Sequence, residues 1–243
     1  MIRYIDEAGM IAPDEVCDFG HETAVTAFSD FLFDEIKERY AAERIGVIKG
    51  GVDLTVYSID VGGKRVLLYK SGVGAPAAAM AMEEIGACGV KNFVAFGICG
   101  ALTDVPPRTV IVPDKAFRDD GTSLHYLPDS EFIPVKNADR VRAALAASGI
   151  NTLAGGVWTT DGFYRETRTR ADEMRARGCV AVDMECSALQ AVCDFRGKNF
   201  YTFFITADSL AGEEWNPNYI RNPGVTSADK VAVAAAASLA ASL

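Results

Sequence analysis

Acidic side chains stand at two points where an apolar run of the sequence gives way to a loop or a helix. Glu185 belongs to the stretch Val-Asp-Met-Glu at the start of a helical pattern, and Asp208 follows the apolar run 200–206. A carboxylate can accept two hydrogen bonds from a vicinal diol, and burial at a strand end can raise the pKa of an aspartate into the range of a general acid. The pattern indicates a diol-binding acid and a proton donor, although acids also suit a helix N-terminus and aspartate is a common N-cap.

Two glycine-rich turns follow apolar, strand-like runs. Residues 71–76, Ser-Gly-Val-Gly-Ala-Pro, precede an alanine-rich helical pattern, so Gly72 lies where the backbone can approach a ligand and a helix N-terminus favours an anion. Gly97 and Gly100 form a second pair after the run 93–96. Neither signal is specific, because the third glycine of a dinucleotide fingerprint is absent and a tight turn explains both pairs.

The hydrophobic pattern predicts the elements that must position these residues. Apolar side chains recur at spacings of three and four over residues 28–40, which predicts a helix, and Gly62-Gly63 separates two strand-like runs. The predicted strands are 54–59, 65–69, 93–96, 109–113, 156–160 and 200–206, and the further predicted helices are 77–87, 184–196 and one from Thr226 or Ser227 to Leu243. Strands that alternate with helices predict a mixed or mainly parallel sheet with helices on its faces.

Composition sets limits on the class of protein. The 243 residues are 49% hydrophobic and 23% charged, which is typical of a globular chain with a sizeable core. We predict one domain over residues 1–243. The net charge of −9 and the pI near 4.8 disfavour polyanions, so we expect no nucleic-acid partner and no membrane partner.

Cysteine usage and the N-terminal residues predict the compartment. Six cysteines and two histidines occur without a C-x-x-C pair, so we expect no metal site. The first residues lack the basic start and apolar run of a signal peptide, and no apolar stretch approaches the ~20 residues of a membrane span. Because the pattern leaves several cysteines without an evident partner, we expect a cytoplasmic protein.

Taken together and in order, these loops resemble those of the nucleoside phosphorylase family, which includes uridine phosphorylase and the hexameric bacterial purine nucleoside phosphorylases. The resemblance covers about residues 45–243. The segments that carry it are SGVGAP at 71–76, FGICGA at 96–101, DGTSLHY at 120–126, DGFY at 161–164, VDMECSAL at 182–189 and TADS at 206–209.

The resemblance implies a three-layer α/β/α sandwich with a mixed central sheet, assembled as a homo-oligomer, either a dimer or a hexamer, with active sites at subunit contacts. It also implies residue roles. Glu185 would bind the ribose 2′ and 3′ hydroxyls, with Met184 against the sugar, and Phe163 would stack on the base. The further substrate-binding candidates are Gly72, Gly97, His125, Arg165 and Arg168.

The resemblance favours a purine over uridine as the base. Asp208 matches the acid with which purine-type members protonate the departing base, at a position where uridine phosphorylases have no aspartate, and Arg221 stands where the purine enzymes have an arginine that assists this acid. Cleavage leaves negative charge on the base and positive charge on the ribose, so an acid and a carboxylate both help. The uracil-binding Gln-x-Arg overlies Glu166 and Arg168 only after a one-residue deletion, and residues 165–168 are equally typical of a solvated charged run.

The chain departs from the family where phosphate binds. The N-terminal Gly-Asp-Pro-x-Arg loop is missing, the arginine that a neighbouring subunit supplies falls at Val52, and Ala95 and Ile98 replace an arginine and a hydroxyl residue. Arginine forks are the usual ligands of a phosphate dianion, so we expect weakened phosphate binding. Lys49 or Lys70 would compensate only if it is more than an ordinary surface lysine.

The sequence leaves open the roles of the two histidines and the identity of the molecule that accepts the ribosyl group. His21 and His125 can reach a ribose hydroxyl or can be satisfied structural histidines, and a lysine of another subunit could complete the site. We predict a pentosyltransferase that cleaves the N-glycosidic bond of a nucleoside without a cofactor, with phosphate as co-substrate or with water in its place. The alternative is a non-catalytic nucleoside-binding or storage-type relative. Glu185 and Asp208 favour the enzyme, whereas the lost arginines favour the alternative.

Overall fold

One sheet runs through the described part of the chain. The computed structural model describes residues 4–7, 9–13, 18–50, 53–217, 220–221 and 224–243. The strands are β1 (Thr23–Ala27), β2 (Glu43–Lys49), β3 (Asp53–Val61), β4 (Lys64–Lys70), β5 (Asn92–Ala101), β6 (Val110–Asp119), β7 (Phe132–Pro134), β8 (Thr152–Thr160), β9 (Cys179–Asp183) and β10 (Asn199–Ser209). The helices are α1 (Asp30–Arg39), α2 (Ala75–Ala87), α3 (Ser123–Tyr126), α4 (Ala138–Ala147), α5 (Arg168–Ala176), α6 (Cys186–Arg196) and α7 (Ser227–Ala241), with a 3-10 turn over Phe163–Arg165.

The sheet is mixed, as the sequence pattern predicts. Its order is β10-β6-β8-β9-β5-β1-β4-β3-β2, with β7 paired to β6 and β10 paired also to β5. Strand β1 lies parallel to β4 and β5, and β5 lies parallel to β10, whereas β2, β3 and β4 form an antiparallel meander. The pairs β10–β6 and β5–β9 are antiparallel. Because β10 pairs with both β5 and β6, the strands β5, β10, β6, β8 and β9 close on one another.

Helices cover both faces of the sheet, which confirms the three-layer α/β/α arrangement that the resemblance implies. Helices α2 and α6 pack on one face, where Met82, Ile85 and Leu189 join a buried cluster with Phe93 and Phe200. Helices α1, α4 and α7 pack on the other face in a second buried cluster. Its members there include Leu32, Ile36, Val141, Leu145, Val233 and Leu239.

Local signals in the sequence locate several element ends correctly. Gly62 and Gly63, with φ of 63° and 84°, form the β3–β4 turn, and Gly197, with φ of 64°, ends α6 in the left-handed region. The capping box of α7 joins Thr226 and Asp229, whose side chain is fully buried and ion-paired with Arg108 at 3.1 Å.

Other elements escape the sequence pattern. The pattern does not predict β1, β2, β7, β9, α3, α4 or α5. Strand β1 falls in a stretch expected to be a loop followed by a helix, yet all five of its residues are buried. Strand β9 is only five residues long, and α5 has buried side chains only at Ala171 and Met174. Such short or mostly charged segments are set by tertiary packing rather than by their own periodicity.

The described cysteines include both free thiols and a disulfide-bonded residue. Cys99, Cys179, Cys186 and Cys193 are buried and free, whereas Cys88 is disulfide-bonded, which departs from the expectation of unpaired thiols. No helix within the described ranges is long and apolar enough to cross a membrane. Among the described residues, no group of three or more His, Cys, Asp or Glu side chains is arranged to hold a metal ion.

Candidate active site

Two acids at the junction of β9 and α6 have different tasks. The buried Asp183 carboxylate accepts hydrogen bonds from the backbone N–H groups of Glu185 at 2.9 Å and Cys186 at 2.6 Å, and from Thr159 Oγ1 at 2.7 Å. Asp183 therefore satisfies the N-terminus of α6. Glu185, the first residue before this helix, makes no such capping bond with its side chain, so its carboxylate is available for a contact elsewhere.

The Glu185 carboxylate lies against the glycine turn that precedes α2. Its Oε1 accepts a 2.6 Å hydrogen bond from the backbone N–H of Gly74, whose φ of 92° suits glycine. Burial, and then the charge of Asp183, raises the pKa of Glu185 to about 8. Met184 is half-buried beside it. A Cβ on Gly72 would lie 2.7 Å from Ala77 Cβ, so Gly72 permits the tight turn. The turn and the β9–α6 junction thus meet at one carboxylate.

Lys70 at the end of β4 is more than a surface lysine. Its Nζ donates to the carbonyl oxygens of Phe28 at 2.8 Å and Ser71 at 2.9 Å and lies 3.4 Å from Asp30 Oδ1. Its positive charge also lowers the pKa of Glu185 against the larger effect of burial. Lys49, by contrast, is exposed at the end of β2.

The positions that correspond to phosphate ligands in the family are apolar here. Ala95 is fully buried within β5, and Ile98 is partly buried on the same strand. Gly97 lies between them and allows the ring of Phe28 to approach, because a Cβ there would lie 2.7 Å from Phe28 Cδ2. Packing therefore explains Gly97. Val52 lies outside the described residues.

Asp208 lies near the end of β10 with its carboxyl buried. Its Oδ2 accepts a 2.6 Å hydrogen bond from Nε1 of Trp215, and its Oδ1 lies over Gly100, where an added Cβ would approach to 3.3 Å. Burial raises the pKa of Asp208, although the hydrogen bond from Trp215 opposes the shift. The charge of Asp208 in turn adds to the burial that raises the pKa of the Cys99 thiol on β5. A buried carboxyl with a raised pKa has the properties of a general acid.

Glu166 is a second acid beside Asp208. Burial, followed by the charge of Asp208, raises the pKa of Glu166 to about 8. Two neighbouring carboxyls cannot both ionise readily, so burial and the charge of Asp208 keep a proton on Glu166 at neutral pH. Glu166 and Trp215 line a cavity of about 130 Å³. Its other lining residues are Arg168, Ala171, Leu210, Glu213 and Glu214.

The 3-10 turn after β8 carries Phe163, the candidate for stacking on the base. Phe163 is half-buried and meets the exposed Tyr164 edge to face, with ring centroids 5.0 Å apart. Arg165 is exposed at the end of this turn. The Arg168 guanidinium donates to the carbonyl oxygen of Gly212, so it holds the segment that follows β10.

Arg221 contacts Trp215, which in turn contacts Asp208. The guanidinium carbon of Arg221 lies 5.0 Å from the centroid of the Trp215 ring, so the indole stands between the arginine and the acid. Sequence reasoning did not identify Trp215, which follows Asp208 by seven residues in the loop-like stretch Gly-Glu-Glu-Trp without any periodic signal. It named Glu166 only as an uncertain equivalent of a uracil-binding residue.

The two histidines lie in different surroundings. His21 is buried, with Nδ1 2.6 Å from the Phe19 carbonyl oxygen and Nε2 2.8 Å from Ser58 Oγ, and burial lowers its pKa. These contacts are those of a satisfied structural histidine. His125 is exposed on α3. The neighbouring Arg118 donates to the carbonyl oxygens of Ser123 and Pro128 at 2.8 and 2.6 Å, which fixes the segment that carries His125.

A larger cavity of about 540 Å³ lies elsewhere, at the start of β6 and β8 and beside α7. Val105, Pro106, Ile150, Leu153 and Val231 contribute much of its wall. None of the candidate site residues lines it. Volume without convergent acids or bases does not make a catalytic site, so we assign the site to the residues around Glu185 and Asp208.

Comparison with known proteins identifies the family to which the chain belongs. The chain matches the Phosphorylase superfamily over residues 22–242. It is 34% identical over 158 residues to DeoD-type purine nucleoside phosphorylases of Bacillus cereus and Bacillus thuringiensis, which covers 63% of this chain and 67% of each relative. The solved purine nucleoside phosphorylase of Toxoplasma gondii in complex with immucillin-H shares the fold, with a TM-score of 0.75 at 18% identity over 97% of this chain and 96% of that one. The chain therefore belongs to the phosphorylase superfamily, within its nucleoside phosphorylase family.

Proposed function

We propose that the protein cleaves the N-glycosidic bond of a purine nucleoside. The observation that carries the proposal is the buried Asp208 carboxyl, whose pKa is raised by burial and which lies beside a second acid, Glu166. A carboxyl with a raised pKa holds its proton to higher pH and can pass it to the base nitrogen as the C–N bond breaks. The purine preference is supported by the DeoD-type relatives, which are purine nucleoside phosphorylases.

In this proposal, Glu185 binds the ribose diol and Phe163 covers the base. The Glu185 carboxyl faces the glycine turn at Gly74. Hydrogen bonds donated by the two ribose hydroxyls favour its ionised form, whose negative charge stabilises the oxocarbenium-like sugar of the transition state. Met184 packs beside the sugar. Asp208 then protonates the base at the opposite end of the nucleoside, so the two acids act on the two charges that cleavage creates.

The acceptor is the least conventional part of the proposed reaction. Ala95 and Ile98 offer no hydrogen bond from their side chains to phosphate, and Lys70 is already bonded to two carbonyl oxygens and paired with Asp30. Water in the place of phosphate is therefore the acceptor that this pocket favours within the proposal, with phosphorolysis as the outcome to be distinguished from it. The same apolar substitutions support the second candidate, a relative that binds nucleosides without turnover.

A nucleoside panel separates these outcomes. The protein is incubated with purine and pyrimidine nucleosides, with and without phosphate, and free base is followed by chromatography. We expect base release from purine nucleosides in the absence of phosphate. Release only with phosphate identifies a phosphorylase, and measurable binding without release from any nucleoside contradicts the enzyme.

Matched variants identify the acid. Asp208→Asn should lower kcat/KM by roughly 10²- to 10⁴-fold, the usual contribution of a general acid, while nucleoside binding persists. The control is Asp60→Asn, an exposed residue of the β3–β4 hairpin whose carboxylate accepts a turn hydrogen bond from the backbone N–H of Gly63. Equal activity of the two variants would show that Asp208 is not the acid.

A further inference from the structure

Trp215 makes a short hydrogen bond to the acid of the site. Its Nε1–H donates to Asp208 Oδ2 at 2.6 Å, and the indole is 42% exposed. A large aromatic side chain with this much exposure contributes little to the core. Its polar atom nevertheless reaches a carboxyl that is only 3% exposed. The contact therefore serves the carboxyl rather than the packing of the protein.

The two oxygens of Asp208 are thereby made unequal. Oδ2 is occupied by the indole N–H, whereas Oδ1 packs over Gly100, where a Cβ would lie 3.3 Å from Oδ1 and 2.9 Å from Val182. A protonated carboxyl can accept at its carbonyl oxygen and donate from its hydroxyl oxygen. Bonding at Oδ2 therefore leaves Oδ1 as the oxygen that holds and releases the proton.

The indole also connects Asp208 to a cation. Arg221 lies 5.0 Å from the centroid of the Trp215 ring, within the range of a cation–π contact. A cation over the ring draws electron density away from the indole and makes its N–H a stronger donor. The positive charge of Arg221 is thus felt at Asp208 through the ring.

We propose that Trp215 is a positioning residue for the reaction, which fixes Asp208 through Oδ2, directs the proton from Oδ1 to the base and transmits the influence of Arg221. This inference rests on the proposed function. As the C–N bond breaks, its electron pair goes to the base nitrogen, which takes the Oδ1 proton. Water bonds to the ribose carbon and releases a proton to the solvent, from which Asp208 is later reprotonated. Asp208 becomes a carboxylate, and the Trp215 hydrogen bond strengthens as this charge develops.

The pH profile of Trp215→Phe tests the role. Phenylalanine keeps a ring beneath Arg221 and removes only the N–H donor. Since a hydrogen bond to the ionised form lowers the pKa of an acid, we expect the alkaline limb of kcat/KM to move upward by about one pH unit. We expect kcat to fall roughly 10- to 100-fold, the loss of one charge-assisted hydrogen bond, with KM nearly unchanged.

The groups that face Asp208 also affect the position of the alkaline limb of the kcat/KM profile. They are Glu166 from the turn after β8 and Cys99 from β5, besides the indole itself. Glu166→Gln in the Trp215→Phe background isolates the tryptophan effect from the neighbouring acid, and the upward movement should persist there. If the alkaline limb of kcat/KM does not move in Trp215→Phe, the tryptophan is only structural, whatever the loss in kcat, and the proposal is overturned.

The chain contains a matched control in its other tryptophan. Trp158 Nε1 donates to a different acid, Asp119, with Oδ2 at 2.9 Å. Trp158→Phe therefore removes the same kind of hydrogen bond and should leave the alkaline limb in place. Arg221→Gln should move the limb in the same direction as Trp215→Phe by a smaller amount, and should have no further effect when both changes are combined. A full additional shift in the double variant would refute transmission through the ring.

A spectroscopic measurement keeps this inference separate from the proposed activity. The full chain labelled with ¹⁵N-tryptophan has two indole N–H signals, one for each tryptophan. Asp208→Asn should displace one of them, and the same signal should titrate with pH in the wild-type protein. If this occurs in a protein that cleaves no nucleoside, the proposed function fails while the Trp215–Asp208 contact stands. Two signals that ignore both the substitution and pH would overturn the contact itself.

Discussion

Replacing Glu185 with glutamine tests whether this carboxyl, which we propose binds the diol, lowers the stability of the folded protein. The side chain is 4% exposed, and burial together with the charge of Asp183 raises its pKa from 4.5 to about 8. The glutamine amide oxygen can still accept the hydrogen bond from Gly74, but it carries no charge. The substitution therefore removes ionisation while preserving shape and the backbone contact.

The sign of the effect follows from proton binding. Between pH 4.5 and about 8 the folded protein retains a proton on Glu185 that the unfolded chain has lost, so wild-type stability falls as pH rises through this window. Each pH unit corresponds to about 1.4 kcal/mol. Asp183, whose own pKa is raised to about 6, shares part of this penalty. We expect Glu185→Gln to be more stable than wild type by about 2 kcal/mol at pH 7, with no gain below the unfolded pKa.

Urea unfolding measures this gain across a pH series. Wild type, Glu185→Gln and the control Glu38→Gln, an exposed residue on α1, are compared between pH 5 and 8. The gain should grow with pH in Glu185→Gln alone. The same variant should lose roughly 100-fold in kcat/KM, because an amide NH2 group replaces one of the two oxygens proposed to bind the diol and cannot ionise in the transition state. A variant that is no more stable than wild type at pH 7, or whose gain is equal at pH 5 and pH 8, would refute the reasoning.

Three further substitutions test the frame around the site. Gly74→Ala and Gly63→Ala place a side chain at φ of 92° and 84°, respectively, and in both the new Cβ has no described atom within 4 Å. Urea unfolding should therefore show a similar loss of stability, about 1–2 kcal/mol, in the two variants. Only Gly74→Ala should also reduce base release. Asp229→Ala should lower the free energy of unfolding by about 3 kcal/mol, because it removes both the buried 3.1 Å ion pair with Arg108 and the capping box of α7. A loss below about 1 kcal/mol contradicts this. Phe163→Leu should raise KM roughly 3- to 10-fold through lost stacking on the base, with unchanged thermal unfolding, and an unaltered KM would argue against the stacking role.

The sequence predicts the strand and helix that flank each acid because both are long and strongly patterned. The apolar run before Asp208 and the helix after Glu185 are present where expected. The partners of these acids are not predictable in the same way. Gly74 lies 111 residues from Glu185, and no local pattern indicates that its N–H meets that carboxylate. The resemblance predicts Glu185 as the diol-binding acid, and this role stays a prediction. It could not indicate that Asp183 would satisfy the helix N-terminus.

Trp215 is a second residue whose role could not be predicted from the sequence. Hydrophobic periodicity detects residues that pack into a core, whereas this indole is partly exposed and acts through one polar atom. Glu166 lies in a charged run whose composition is that of a solvent-facing segment, yet burial beside Asp208 gives it a raised pKa. In both residues the decisive property is the environment that the fold supplies.

The double pairing of β10 has a consequence for the order of folding. Asn199 at its start bonds to Asn92 of β5, 107 residues earlier in the chain, and the same strand also pairs with β6. Closing so long a loop is slow, because its entropy is lost before the contacts form. Asp208 reaches its place only when this strand has joined both neighbours. The return of catalytic activity after dilution from denaturant should therefore lag behind the return of helical signal, so that activity reports the last pairing of the sheet.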